Sequence, residues 1–200
     1  MDFSKLAQNL KDNGFAVSCF ATAAEASDYL NSQIDGETVG IGGSMTVEEM
    51  GLYDTLKTHN EVYWHWHPEG RPAEEVRALG SRTDVFLTSV NGIAETGEII
   101  NIDGSGNRVA GMLYGHKKVY LIVGENKVAP DYDQALWRAR NIAAPLNAKR
   151  LNCKTPCAVN GDRCYDCKVP GRICRGVALL WKAPTSMKFE VVLVGEKLGY

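Results

Sequence analysis

Four cysteines fall in the pattern Cys157-x6-Cys164-x2-Cys167-x6-Cys174, with Cys153 four residues ahead of them. A Cys-x2-Cys pair is a recurrent metal-knuckle spacing, and the flanking thiols complete a set of four. Four thiolates suit tetrahedral Zn²⁺ or an iron–sulfur cluster equally, and spacing does not separate the two. Unligated thiols, or a redox disulfide between Cys164 and Cys167, are the alternatives. Pro156, Gly161, Pro170 and Gly171 break regular structure here, so a cross-link is expected to order the segment. Cys19 stands alone and reads as a small buried hydrophobe within a strand.

A second set of residues points to anion chemistry. The apolar stretch Thr38–Ile41 ends in Gly42-Gly43-Ser44, with Ser44 or Thr46 as the cap of a following helix and Thr46/Glu49 at capping-box spacing. A strand, a glycine turn and a helix start place bare N–H groups where an anion can bind. No Lys follows the glycines and the full dinucleotide fingerprint is missing, so no nucleotide cofactor is expected. A tight turn that binds nothing is the alternative.

Between residues 84 and 126, Asn91, Glu95, Thr96, Asp103, Asn107 and Arg108 are spaced by Gly92, Gly97, Gly104 and Gly106. The run Asp103-Gly104-Ser105-Gly106-Asn107-Arg108 reads as a second glycine turn opening a helix over 109–114. There the planar fork of Arg108 suits a carboxylate or phosphate. Glu95 precedes a tight turn and is the first candidate for a nucleophile or general base projecting into a crevice. Asp103 is the second, although an Asp in that position commonly caps the backbone. His65 and His67 would share a face of an extended strand and form a possible metal pair, with packing against the neighbouring tryptophans as the alternative.

These residues need elements to hold them. Apolar periodicity predicts helices over 2–13, over 72–79 and from Asp131 to about Ala143, where Pro145 is expected to end the helix. Thr22 and Glu25 predict a reciprocal cap on another. Strands are expected at 15–20, 38–41, 61–66, 84–89, 98–101 and 118–123. Residues 176–181 and 188–195 are expected to pair as a terminal hairpin. The alternation predicts one domain of the α/β class, a three-layer, mostly parallel sheet flanked by helices, with a Cys-rich insertion at 151–175. Ligands of such sheets lie beyond the carboxyl ends of the strands.

Composition excludes several partners. The chain is 44% hydrophobic and 23% charged, with a formal net charge of −2, so no basic footprint for nucleic acid is present. No run approaches the roughly 18 apolar residues of a spanning helix. The first residues lack the apolar core of a secretory signal, and crowded cysteines fit a reducing compartment, so a cytoplasmic protein is expected.

Several stretches together carry a family resemblance: GGSMTVEEMGL (42–52), SVNGIAETGEIINIDGSGNRVAGM (89–112), NKVAPD (126–131), RNIAAPLNAKRL (140–151) and TPC…GDRCYDCKVPGRIC (155–174). The chain resembles the LUD domain, the lactate-utilisation family of small bacterial proteins. That resemblance implies a fold of the NagB/RpiA/CoA-transferase-like superfamily, which includes ribose-5-phosphate isomerases, glucosamine-phosphate isomerases and CoA transferases. It implies a part in oxidising L-lactate to pyruvate beside iron–sulfur partner subunits. CoA transferases of the superfamily use a Glu nucleophile, and Glu95 stands in a comparable place.

Three functions follow as expectations. One is an accessory or redox component of lactate utilisation, with a small anionic ligand at Gly42, Gly43, Ser44, Thr46, Asn91, Asp103, Gly104, Ser105, Gly106, Asn107 and Arg108, and a metal or cluster on Cys157, Cys164, Cys167 and Cys174. Another is a stand-alone isomerase- or transferase-like enzyme using Glu95 on phosphorylated or CoA-linked molecules. The last is a non-catalytic, zinc-structured binding protein. A homo-oligomer is compatible with all three.

Overall fold

The computed structural model of the protein describes all 200 residues. Ten strands run in chain order as β1 (Ala16–Phe20), β2 (Thr38–Ile41), β3 (Glu61–Trp64), β4 (Val85–Ser89), β5 (Gly92–Ala94), β6 (Ile99–Asp103), β7 (Lys118–Gly124), β8 (Val128–Ala129), β9 (Gly176–Leu180) and β10 (Lys188–Val194). Six of them form one sheet in the order β1-β10-β7-β4-β2-β3, and every neighbour in it is parallel. The other four form a smaller sheet, β8-β5-β6-β9, in which β6 is antiparallel to both its neighbours.

The sequence of the central strands explains their position. Lys118–Gly124 is apolar on both faces, as a parallel strand covered twice must be. Val119, Leu121 and Val123 enter one core with Phe3, with Leu6 and Leu10 of α1 (Ser4–Asp12), and with Ile93 and Ile99 of the small sheet. Tyr120 and Ile122 face the other way, against Ala26 and Leu30 of α2 (Ala23–Gln33), Val47 of α3 (Met45–Glu49) and Leu52 and Leu56 of α4 (Leu52–Lys57). Helix α5 (Ala73–Gly80) packs beside β3, and α6 (Asn107–Leu113) sends Met112 into the first core. A third, smaller core joins Ala94, Ile100 and Ile102 to Ala135 and Ala139 of the helical run that opens with α7 (Tyr132–Arg138). The small sheet is therefore an additional layer, covered by that run.

The reciprocal cap at Thr22 forms, with the Glu25 N–H donating to Thr22 Oγ1 at 3.2 Å and Glu25 Oε2 accepting from the Thr22 N–H at 3.1 Å. At α3 the cap is Ser44 alone, accepting from the Val47 N–H. Thr46 does not cap. It is fully buried and donates to the Leu198 carbonyl instead.

Three further expectations are corrected. Residues 176–180 and 188–194 do not pair with each other: β9 joins β6 in the small sheet, while β10 inserts between β1 and β7. The apolar run Val191–Val194 of β10 is fully buried and needs cover on both faces, which a terminal hairpin would not provide. Pro145 does not end the helix begun at Tyr132. The helix passes through a π segment, Ala139–Ala143, into α8 (Ala144–Arg150), whose first turn contains Pro145. Widening to i→i+5 bonding accommodates a residue without an N–H. Cys19 is exposed, because β1 is an edge strand.

Leu121 lies fully buried in the central strand β7. Truncation in Leu121→Ala is expected to cost about 2–5 kcal/mol of stability, read from the urea midpoint, because a doubly covered strand relaxes little around a cavity.

Candidate functional site

The carboxyl ends of β2, β3, β4 and β7 all open onto one cavity of about 650 Å³. Gly43 and Ser44 come from the turn after β2, His65 and Trp66 from the turn after β3, Ser89 and Asn91 from the end of β4, and Lys127 from just beyond β7. The small sheet adds Asp103, Gly104 and Ser105, the start of α6 adds Asn107 and Arg108, and residues 171–175 close one side. Asn147 and Arg150 of α8 form another wall.

Charge in this cavity is one-sided. Arg77, Arg108, Lys127, Arg150, Arg172 and Arg175 line it, against the single side-chain carboxylate of Asp103. Asp103 is already occupied by backbone donors: Oδ1 accepts from the Gly104 N–H at 2.7 Å, and Oδ2 from the Arg108 and Val109 N–H groups at 2.9 and 3.3 Å. It therefore shapes the turn whose Gly106 adopts φ +90. Arg108 donates to the carbonyls of Gly43 (3.1 Å) and Ile102 (2.5 Å) and to Asn91 Oδ1 (3.3 Å), while its Nε has no partner. Burial pushes its guanidinium below the ordinary value, with Asp103 opposing. A Cβ on Gly42 would stand 3.1 Å from the Arg108 side chain, so the first glycine of the β2 turn leaves room for this arginine. Arg150 lies over the Trp66 ring at 4.6 Å and shares Asn147 Oδ1 through Nε and Nη2.

Lys127 is the residue the sequence reading missed. It is 3% exposed, and its Nζ contacts Thr46 Oγ1 at 2.7 Å and Ser89 Oγ at 2.8 Å. No carboxylate pairs with it. Burial pushes its ammonium well below the usual lysine range, and Arg138 and Arg108 push the same way, with Glu49 opposing. Arg138 was missed too. It donates to the carbonyls of Asn126 (2.7 Å), Asn91 (2.6 Å) and Tyr200 (3.3 Å), and burial lowers it to about 10. The signal available was the position of Lys127, three residues past a strand that ends at the ligand edge of a parallel sheet.

The LUD domain profile matches residues 3–194. The chain belongs to the LUD domain family. That family is associated in general with lactate utilisation. A DUF162 family protein from Deinococcus radiodurans is similar in structure, with a TM-score of 0.54 at 15% identity over 98% of this chain and 99% of that one, which supports a shared fold. Ribose 5-phosphate isomerase from Plasmodium falciparum gives a TM-score of 0.35 at 16% identity, over 54% of this chain and 52% of that one, too slight a likeness to bear on this site. No curated protein matches the chain.

In this LUD domain, Gly43, Ser44, Asn91, Asp103, Gly104, Ser105, Asn107 and Arg108 all line the cavity. Gly42 supports Arg108 from behind, Gly106 sets the turn, and Thr46 reaches the site through Lys127. Glu95 does not project into it. Its carboxylate pairs with Lys5 Nζ at 2.6 Å and its carbonyl accepts from Asn9, because the β5–β6 turn folds toward α1. His65 and His67 separate as well, since the strand ends at Trp64 and a turn closes with the His67 N–H donating to the Trp64 carbonyl. His65 faces the cavity, whereas His67 stacks on Tyr53 and meets Glu48 at 3.1 Å.

The thiols are not gathered. Cys157 sits on α9 (Pro156–Asn160) beside Thr155, and Cys164 lies near Arg140 and Asn141. Cys174 packs against the third core. No three His, Cys, Asp or Glu side chains stand close enough to share an ion, so this arrangement does not fit a four-thiolate zinc or iron–sulfur centre. The loop is ordered in part by Arg172, which donates to the carbonyls of Cys167 and Cys174 and meets Asp166 at 3.2 Å.

Burial lowers His65 to about 4 from 6.5, with Arg77 adding to the effect and Asp103 opposing. A histidine depressed in the fold binds fewer protons than in the unfolded chain, so stability is expected to fall as pH drops from 6.5 toward 4 and to level off below. Urea midpoints across that range should decline more steeply for the wild type than for His65→Gln. Equal slopes would remove His65 as the cause.

Proposed function

We propose that this LUD domain binds a small organic anion carrying two or more negative charges at the carboxyl edge of its parallel sheet, as an accessory component of bacterial L-lactate utilisation. The observation that carries the reading is the uncompensated charge of the cavity. Arg108, Arg150 and Arg175 have no carboxylate partner, and protein oxygens accept from only some of their N–H groups. The Arg108 guanidinium is buried with its Nε unpartnered; such a group without a counterion is costly, and an anionic ligand offsets that cost where it binds.

Size argues for more than one acidic group. The cavity lies in the range of about 300–1,000 Å³ typical of small-molecule sites. A three-carbon hydroxy acid would neutralise one of several cations and leave most of the space to water. A phosphorylated or multiply carboxylated molecule would meet several cations at once, Arg108 and Arg175 beside Asp103 and Arg150 on α8. The reading of a stand-alone enzyme on phosphorylated or CoA-linked molecules shares this ligand chemistry, but the position of Glu95 gives that carboxylate no part in it.

Calorimetric titration with inorganic phosphate, ribose 5-phosphate, citrate, L-lactate and pyruvate tests the reading. Binding of at least one multiply charged anion is expected, tighter than L-lactate and weakened by salt. Arg175→Gln and Arg108→Gln should each weaken it about tenfold or more, as loss of a charge-assisted hydrogen bond costs about 1.5–3 kcal/mol. Glu95→Gln should leave it unchanged. Failure of all five anions to bind would overturn the proposal.

A further inference from the structure

Lys127 is the group in the cavity that anion binding does not explain. An arginine would serve as a fixed charge, and the walls already carry five. The environment of Nζ is built instead from two hydroxyls. Thr46 Oγ1 commits its proton to the Leu198 carbonyl at 3.2 Å, and Ser89 Oγ commits its proton to the Ile122 carbonyl at 2.5 Å. Both oxygens can therefore only accept from the lysine. A neutral amine has two N–H bonds and one lone pair. Its two protons match these two acceptors, and the third tetrahedral position at Nζ has no protein partner. An ammonium in the same place would keep a third proton with nothing to receive it, in a buried site beside Arg108 and Arg138. Burial and those two guanidinium groups favour the neutral form, which alone is nucleophilic.

We infer that Lys127 is a covalent-capture residue, whose Nζ adds to the carbonyl carbon of a small anionic aldehyde or ketone held in the cationic cavity and forms an imine. The step balances without a co-reactant. The nitrogen lone pair forms the C–N bond as the carbonyl π electrons move to oxygen. The two amine protons pass to that oxygen, which leaves as one water, and the C=N bond remains. The imine draws electrons from the adjacent carbon, so proton loss or bond cleavage there becomes easier. The inference rests on the anion-binding reading for the placing of the ligand and deepens it by naming the ligand's reactive group.

The carbonyl could arrive as an oxo-acid or as the open chain of a sugar phosphate, and two arms separate these sources. Full-length protein is incubated with 2-oxoglutarate, an oxo-acid with two carboxylates, or with ribose 5-phosphate, reduced with sodium borohydride, and examined by intact mass and by peptide mapping. One adduct per chain is expected, confined to Lys127, from whichever carbonyl compound the site accepts. It should be absent in Lys127→Arg and in Lys127→Met, and outcompeted by a bound anion without a carbonyl. Ser89→Ala, which removes one acceptor and leaves the lysine, should slow labelling without abolishing it. The wild-type map decides the matter even where a variant folds poorly. Adducts scattered over exposed lysines, or none in either arm, would overturn the inference. Calorimetric binding without an adduct would sink the imine while sparing the anion site, whereas absence of binding would sink both.

Discussion

The structure depends on how positive charge is held where two sheets meet. Arg138 and Arg108 each sit in the seam and use mostly main-chain oxygens, and no side-chain carboxylate, as partners. Arg138 ties the chain after β4 to the chain after β7 through Asn91 and Asn126, and Arg108 ties the end of β6 to the turn after β2. The carbonyls of Gly43, Asn91 and Asn126 lie just past the carboxyl ends of parallel strands and have no further ladder partner, so they are available for this purpose. The same contacts that join the sheets therefore leave an unneutralised field in the space between them. Architecture and binding chemistry share one set of interactions.

Much of this was legible in the sequence for physical reasons. Doubly covered strands such as Lys118–Gly124 announce themselves by unbroken apolar runs, and the Thr22/Glu25 cap by its spacing. The two glycine turns, after β2 and before α6, were readable because close approach and positive φ leave few alternatives to glycine. The parallel sheet accounts for the first turn's place at the cavity, whereas the small sheet carries the second one there.

What escaped were features fixed by long-range partners. A lysine looks the same in sequence whether solvated or enclosed, and the neighbours of Lys127 include Thr46, Ser89 and Gly199, all distant in the chain. Glu95 was attractive because it stood beside a turn, yet a turn's direction depends on what covers it, here α1 and Lys5. Pro145 suggested a stop because a π segment leaves no compositional mark. Cysteine spacing spoke of ligation, but the thiols take positions set by Arg140, Arg172 and the third core.

Strand β10 carries a consequence for biosynthesis. It lies between β1 and β7, so the sheet stays open on both flanks of that gap until residue 194 has left the ribosome. Pairing between β1 and β10 spans most of the chain, a topology that folds slowly and leaves strand edges unpaired in the meantime. The segment that follows β10 brings the Leu198 carbonyl onto Thr46 and lays Gly199 beside Lys127. Until that segment docks, the Gly199 side of the Lys127 amine is uncovered. The enclosure of this amine therefore waits on the same long-range pairing that closes the sheet.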